Sequence, residues 1–261
     1  MLINIETGKA TSVGLVRDHN EDSLLTLELS LGGGMEDTCF CLAAVADGLG
    51  GHEGGEIASD LALRVLAENM VHGIISPALP SDSTRLIGES VSGLLRESVQ
   101  KANGEVYAQG QLKHNGMATT LVAVAVLGQT TCIANVGDSR IYLLEENELR
   151  QLSKDHSLVQ EMVDKGKIKP EQIYTHPMRS IISRCLGLGP KVDVDLFHEE
   201  LKPGDSLLLC SDGLWEMVRD NELRDILLAA DSAQSACDRL RAQANENGGV
   251  DNITAIVLKA N

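Results

Sequence analysis

Several features that would assign this chain of 261 residues to a special structural class are absent from its sequence. There is no Pro/Ser-rich linker, low-complexity tract or internal repeat, so a single domain over residues 1–261 is predicted. No apolar run approaches the length of a membrane-spanning helix, and the N-terminal residues include Glu6 and Lys9 without the apolar region of a secretory signal. We therefore expect a soluble protein of the cytoplasm.

Positive charge is also scarce, because 22 Lys and Arg residues are outnumbered by 38 Asp and Glu residues, for a formal net charge of −16. Nucleic acids and anionic membranes are bound by clustered Lys and Arg, so neither is an expected partner. A solvated acidic surface accounts for this charge. It still permits a phosphate-bearing substrate, provided that cations lie in the site.

The six cysteines form no Cys-x-x-Cys pair and lie mostly inside apolar segments. This pattern predicts buried free thiols in a reducing compartment. No cysteine is followed by the arginine of a Cys-x5-Arg phosphatase cradle, and no Gly-x-x-x-x-Gly-Lys-Ser/Thr nucleotide loop is present. The bend Gly48-x-Gly50 does not fit a dinucleotide-binding loop either, because the third glycine is misplaced and helical segments follow.

The most informative stretch of the sequence runs from Ala43 to Gly55. An apolar run ends at Asp47, a glycine-rich bend follows, and a helical pattern begins near Glu56. A strand that ends at Asp47 would place a carboxylate at the rim of a core, where glycines allow backbone carbonyls to approach a bound ion. A single Asp after a strand is more often a turn former, so the other acidic residues decide its interpretation.

Hydrophobic periodicity predicts an α+β fold in which a mainly antiparallel sheet system is flanked by helices. Two long helices are predicted first, and the pattern then changes to β-branched and aliphatic runs that are typical of a meander. The predicted helices cover 56–70, 84–114, 155–165, 221–230 and 232–245, and the predicted strands cover 10–16, 24–29, 39–46, 119–127, 131–136, 140–145, 206–210 and 252–259.

Four aspartates, Asp22, Asp47, Asp212 and Asp251, stand at the ends of predicted strands or next to them. Packed together without a counterion, their carboxylates would repel one another, so convergence would demand cations. Oxygen ligands completed by water select Mg²⁺ or Mn²⁺ over zinc. Each aspartate could equally cap a loop, and the spacing alone leaves both interpretations open.

Seven sequence blocks stand in order along essentially the whole chain. They are Arg17-x-x-Asn20-Glu21-Asp22, Asp47-Gly48-Leu49-Gly50-Gly51-His52-x-Gly54-Gly55, Gly116-Met117-Ala118-Thr119-Thr120, Asn135-Val136-Gly137-Asp138-Ser139-Arg140, Lys154-Asp155-His156-Ser157, Leu209-Cys210-Ser211-Asp212-Gly213-Leu214 and Gly248-Gly249-Val250-Asp251-Asn252-Ile253-Thr254. Together they resemble the metal-dependent PP2C-type (PPM) serine/threonine protein phosphatases in their compact bacterial form.

The resemblance implies a β-sandwich of two mainly antiparallel sheets flanked by pairs of α-helices, with a binuclear Mn²⁺ or Mg²⁺ centre in a cleft at one end. Asp47 would bridge both metals, and the carbonyl of Gly48 would ligate one of them. Asp212 and Asp251 would complete the shell of one metal.

Three further acidic residues match family positions with a less direct part in the centre. Asp22 and Glu21 fall where the family has an acidic pair that acts mainly through metal-bound water. Asp138 matches a residue that, in bacterial members, helps Asp212 to hold a third, more weakly bound metal.

The resemblance also assigns residues outside the metal shell. Arg17 would bind the substrate phosphate, because its planar guanidinium can hold two phosphate oxygens at once. His52 is a candidate general acid for the leaving oxygen, although an ordinary loop contact is an equal alternative. Leu49 stands where eukaryotic members carry a histidine, which leaves the identity of the acid open. A flap that influences substrate access is expected within about 155–183 and includes Gly166, His176 and Arg179.

The predicted activity is hydrolysis of phosphoserine and phosphothreonine in proteins by a water activated at the binuclear centre, in opposition to a Ser/Thr kinase. Phosphorylated proteins are thus the expected partners of a monomeric enzyme. Two alternatives stand beside this prediction: an inactive module that binds phosphoproteins, and a metal phosphatase for small phosphoesters. An inactive module is expected to lose metal-ligating carboxylates, and Asp22, Asp47, Asp212 and Asp251 are all present.

Overall fold

A computed structural model describes residues 3–31, 38–49, 53–75, 84–114 and 116–261. Its strands are β1 (Ile5–Ser12), β2 (Asp22–Leu31), β3 (Thr38–Leu49), β4 (Ala118–Thr119), β5 (Leu121–Leu127), β6 (Thr130–Val136), β7 (Arg140–Glu145), β8 (Glu148–Gln151), β9 (Asp195–Glu200), β10 (Ser206–Cys210) and β11 (Ile253–Ala260). Its helices are α1 (Glu53–Ile75), α2 (Thr84–Lys113), α3 (Leu158–Asp164), α4 (Asp212–Trp215), α5 (Asp220–Ala229) and α6 (Ala233–Glu246), with a 3-10 helix over Pro170–Thr175.

The strands form two antiparallel sheets, which confirms the predicted fold class. One sheet has the strand order β1-β11-β10-β7-β8, and the other has the order β2-β3-β5-β6-β9 with β4 paired to β3. The connection between β6 and β7 passes from one sheet to the other through the turn 137–139. This turn contains Asp138, so the chain crosses between the sheets at a predicted metal ligand.

Apolar layers cover both faces of each sheet, which explains why β3 and β5 read as continuous apolar runs. In β3, Cys41, Ala43 and Val45 face the layer between the sheets. The alternate residues Leu42 and Ala44 face the helices α1 and α2. The opposite sheet is covered by α5 and α6 with the short helices near them.

Helix α1 is longer than predicted, because its buried residues continue the helical spacing through Met70 and Ile74. Helix α3 begins later than predicted, since the Ser157 hydroxyl caps it by accepting a hydrogen bond from the Gln160 amide. None of the described helices is both long and apolar enough to cross a bilayer.

The predicted strand 10–16 is wrong at both ends. The strand β1 starts at Ile5 and pairs with β11 up to Ser12, and the chain then turns at Gly14, whose φ of 78° is left-handed. Leu15 and Val16 are therefore exposed rather than buried in a strand. The strands β8 and β9 and the single-turn helix α4 were not predicted. The first two are edge strands with many polar residues, and α4 is too short to give a periodic signal.

All six cysteines are free, as predicted, and all except the half-buried Cys39 are buried. Burial raises the thiol pKa of Cys41 and of Cys237 to about 12. The thiols thus behave as small apolar core residues, with little thiolate at neutral pH.

Candidate functional site

The acidic residues singled out from the sequence come from the ends of strands in both sheets. Asp22 opens β2 and lies directly opposite Asp47 in β3. Asp212 begins α4 immediately after β10, and Asp251 lies two residues before β11, the neighbour of β10. Opposite residues of an antiparallel pair point to the same side, so Asp22 and Asp47 face the same space.

The charges of these carboxylates interact. Burial raises the pKa of Asp47 well above its usual range, and repulsion by Asp212 and Asp22 adds to the effect. Burial likewise raises the pKa of Asp212, to which Asp138 and Asp251 add, and that of Asp22, to about 6. Asp47 and Asp212 are thus each close enough to neighbouring aspartates for their charges to raise its pKa, and a divalent cation among them would lower these pKa values again.

The side-chain orientations do not by themselves form a closed metal cage. Within the described ranges, no group of three or more His, Cys, Asp or Glu side chains is arranged so that it could hold a metal ion. Several carboxylates are directed at protein donors instead. Asp251 Oδ2 accepts from Arg17 Nη2 at 2.8 Å and Oδ1 accepts from the Asn252 amide at 2.8 Å, while Asp22 Oδ2 accepts from the Ser211 hydroxyl at 2.7 Å.

Three other carboxylates have oxygen atoms of the kind that a hard cation prefers, although their side chains are not arranged as a cage. Among the described residues, none donates a hydrogen bond to the carboxylate of Asp47 or Asp212. The buried Oδ1 of Asp138 also lacks a partner there, and burial raises the pKa of this group to about 7. Unpaired buried carboxylate oxygens are costly, and an all-oxygen donor set is the one that Mg²⁺ and Mn²⁺ prefer. The donor chemistry of these residues thus fits such a cation. At Asp251, the hydrogen bond from Arg17 occupies an oxygen that would otherwise be available to the cation.

The backbone at Asp47 is fixed by a hydroxyl network that the sequence did not predict. Thr120 Oγ1 accepts from the Asp47 amide at 3.0 Å and lies 2.8 Å from Ser139 Oγ. The Thr120 amide in turn donates to the Asp47 carbonyl at 2.8 Å. Because Ser139 follows Asp138, this network ties the Asp47 strand end to the turn that crosses between the sheets.

A buried cluster of Arg140, Asp155 and Trp215 lies beneath the same turn. Trp215 Nε1 donates to the Asp138 carbonyl at 3.0 Å, and the Arg140 guanidinium stacks on the Trp215 ring at 3.6 Å. Arg140 also holds Asp155 with Nε and Nη2, the shortest contact being 2.7 Å. Arg140 and Asp155 are almost fully buried, so the pair is a structural part of the site's floor.

Asn252 and Ser211 are further residues whose roles were missed. The side-chain Nδ2 of Asn252 donates to the carbonyls of Val13 and His19, and its Oδ1 accepts from the Glu21 backbone amide at 2.8 Å. Asn252 therefore holds the loop that carries Arg17. Both residues stand in the sequence blocks described above, and this position was the one signal that could have identified them.

The predicted positions around the glycine bend are only partly within the described residues. Gly48 packs so closely on the backbone of Gly55 and Glu21 that a side chain could not be accommodated, and its amide donates to the Glu21 carbonyl at 3.1 Å. Leu49 ends β3, whereas His52 lies outside the described residues. Its suggested role as an acid therefore stays a prediction.

The segment expected to form a flap contains α3 and the 3-10 helix. Gly166 has a left-handed φ of 66° just after α3, and His176 ends the 3-10 helix. Arg179 Nε donates to Glu216 Oε2 at 3.2 Å, next to the helix that begins with Asp212. The structure thus brings Arg179 to the body of the protein beside the site, and a gating role for the segment remains a prediction.

Comparison with known proteins points in one direction. Residues 30–253 match the model of a family described as protein phosphatase 2C. A serine/threonine phosphatase of Listeria welshimeri, stp, is 40% identical over 254 residues, which cover 96% of this chain and 94% of that protein. The crystal structure of the serine/threonine phosphatase Stp1 from Staphylococcus aureus has a TM-score of 0.84 and 32% identity, over 99% of this chain and 95% of that one.

A second solved structure is informative about metal. The catalytic domain of the serine/threonine protein phosphatase PstP, in complex with two manganese ions, has a TM-score of 0.80 and 33% identity, over 100% of this chain and 99% of that one. Sequence family, relatives and fold agree over nearly the full length. The chain therefore belongs to the protein phosphatase 2C family.

Proposed function

We propose that this protein is a protein-serine/threonine phosphatase that uses Mn²⁺ or Mg²⁺. The observation that carries the proposal is the electrostatic coupling of carboxylates from both sheets, whose mutual repulsion bound cations would relieve. The family supports the reaction, and the manganese in the similar PstP domain supports the metal.

Hydrolysis of a phosphate monoester dianion is slow, because the substrate repels hydroxide and the leaving group is poor. Two divalent ions held in this site would supply an acidified water nucleophile and positive charge to stabilise in-line displacement. Asp47 with the Gly48 carbonyl, and Asp212 with Asp251, are the residues that would hold these ions. Asp22 and Glu21 would accept from their water ligands, and Asp138 would help Asp212 with a third ion.

The substrates that we propose are phosphoserine and phosphothreonine in proteins, so the enzyme would oppose a Ser/Thr kinase and act as a monomer. A cytoplasmic location is proposed with it, supported by the free, buried thiols. Arg17 would orient the phosphate group, since its side chain is 53% exposed at the edge of the site and is held there by Asp251.

The decisive experiment measures hydrolysis of a phosphothreonine peptide by metal-stripped protein during titration with Mn²⁺ and Mg²⁺. We expect no turnover without metal and saturable turnover with it. Metal-dependent binding of the peptide without turnover would instead favour the inactive module. Turnover of small phosphoesters but of no phosphopeptide would contradict the protein substrate.

Replacing Arg17 by alanine should raise KM for the phosphopeptide by about tenfold or more, because charge-assisted hydrogen bonds to phosphate are lost. Steady-state kinetics at saturating Mn²⁺ measures the change. The control is Arg64→Ala, which removes another exposed arginine that is paired to an aspartate, Asp60, on the surface of α1. An unchanged KM in the Arg17 variant would remove Arg17 from the substrate site.

A further inference from the structure

His156 is a buried histidine that the proposed mechanism does not use, although two hydrogen bonds join it to Gly137 in the turn that contains Asp138. Its Nδ1 accepts from the Gly137 amide at 3.0 Å, and its own amide donates to the Gly137 carbonyl at 2.9 Å. Gly137 has a φ of 119° and packs against Thr120, so the turn has little room to adjust. Asp138 follows directly.

The hydrogen bond from the Gly137 amide indicates the tautomer of His156. A backbone N–H can only donate, so Nδ1 must be unprotonated and the proton of the neutral ring must lie on Nε2. Nε2 then donates to Asp195 Oδ2 at 3.2 Å. Arg184 Nη1, although only 3.0 Å from Nε2, donates to Asp195 Oδ1 at 2.6 Å. Burial lowers the pKa of His156, which agrees with a neutral ring.

The other side of His156 is bonded to the end of the segment expected to be a flap. The His156 carbonyl accepts from the Ser183 amide at 2.8 Å, and Ser157 forms a bridge with Ile182. The start and the end of that segment therefore meet at His156. One residue thus contacts both the base of the segment and the backbone that positions Asp138.

We propose that His156 is a positioning residue that sets the Gly137–Asp138 turn from the base of the 155–183 segment and thereby tunes the affinity of the cation that Asp138 helps to hold. The inference rests on the proposed function, because it takes Asp138 to be a metal ligand. Its structural part, the Gly137 hydrogen bond and the Nε2–H tautomer, is independent of any metal.

Two matched substitutions of His156 distinguish the hydrogen bond made by Nδ1 from the one made by Nε2. In His156→Asn, the amide oxygen can take the place of Nδ1 and accept from Gly137, whereas in His156→Gln the amide lies near the place of Nε2 and leaves the Gly137 amide without an acceptor. Hydrogen exchange of the Gly137 amide in the metal-free protein should accelerate by about tenfold in His156→Gln and much less in His156→Asn. Calorimetric titration should show the weakest Mn²⁺ step weakened by about tenfold in His156→Gln only.

The unsubstituted protein provides a test that needs no variant. Imidazole ¹⁵N shifts of the metal-free protein should identify Nδ1 as the unprotonated nitrogen, and a proton on Nδ1 would overturn the proposal. Equal losses of Mn²⁺ affinity in both variants would also overturn it, since a merely structural role would not distinguish them. Lack of phosphatase activity would count against the proposed function and leave these measurements valid.

Discussion

Replacing Asp47 by asparagine is expected to reduce phosphopeptide turnover at saturating Mn²⁺ by about a thousandfold or more, a loss of roughly 4 kcal/mol of transition-state stabilisation. Asp47 is the proposed bridging ligand, and a neutral amide holds a divalent cation much less strongly than a carboxylate. The rate should be measured over a range of Mn²⁺ concentrations, so that weakened binding and lost turnover are separated.

The same substitution should leave the metal-free fold intact. No described residue donates to the Asp47 carboxylate, and its pKa is raised by burial and by the neighbouring carboxylates, so removal of the charge relieves repulsion. The free energy of unfolding without metal should therefore be unchanged or higher, whereas the gain in thermal stability on addition of Mn²⁺ should shrink. Asp60→Asn, at an exposed site on α1, is the control. Full activity of the Asp47 variant would refute the proposed centre.

Replacing Asp155 by alanine should destabilise the protein by ~3–5 kcal/mol, because it leaves the Arg140 guanidinium buried without its partner. Side-chain exposure is only 4% for Arg140 and 1% for Asp155, and the contact with Trp215 cannot replace the lost carboxylate. Urea unfolding of the metal-free protein measures the loss.

An exposed ion pair supplies the control for this prediction. Arg150 and Glu199 lie 3.1 Å apart with 54% and 25% exposure, so Glu199→Ala should cost at most ~1 kcal/mol. Similar losses in both variants would mean that burial does not determine the energy of the Asp155 pair. If Asp155→Ala does not fold, Asp155→Asn keeps one acceptor oxygen for Arg140 and should give a smaller, measurable loss.

The elements with strong periodicity and the acidic strand ends could be predicted from the sequence, because both depend on residues that are close along the chain. The long helices and the apolar strands follow from the spacing of buried side chains, and Asp47 and Asp212 follow from the abrupt end of apolar runs. The partners of these carboxylates could not be predicted. Ser211 meets Asp22 across 189 positions of sequence, a pairing that exists only once the sheets are packed.

The contacts of Arg17 and Asn252 also could not be predicted, because they form only when distant parts of the chain pack together. Arg17 was expected to face a phosphate group, and in the structure it is paired with Asp251. The position of Arg17 is set in turn by Asn252, whose amide could have bonded to any nearby backbone. Neither the hydrophobic periodicity nor the spacing of motifs predicts which hydroxyl or amide side chain will bond to a given loop or carboxylate.

The carboxylates come from two sheets that pack face to face through an apolar layer. A small slip of one sheet over the other would leave every strand intact and still draw Asp22 and Asp47 away from Asp212 and Asp251. If these carboxylates form the proposed centre, selection for catalysis acts on that layer as well as on the acidic residues. Val124 and Leu209 lie in that layer and have no polar side-chain atom. We nevertheless expect the choice of residue at these positions to be limited by the need to keep the two sheets aligned.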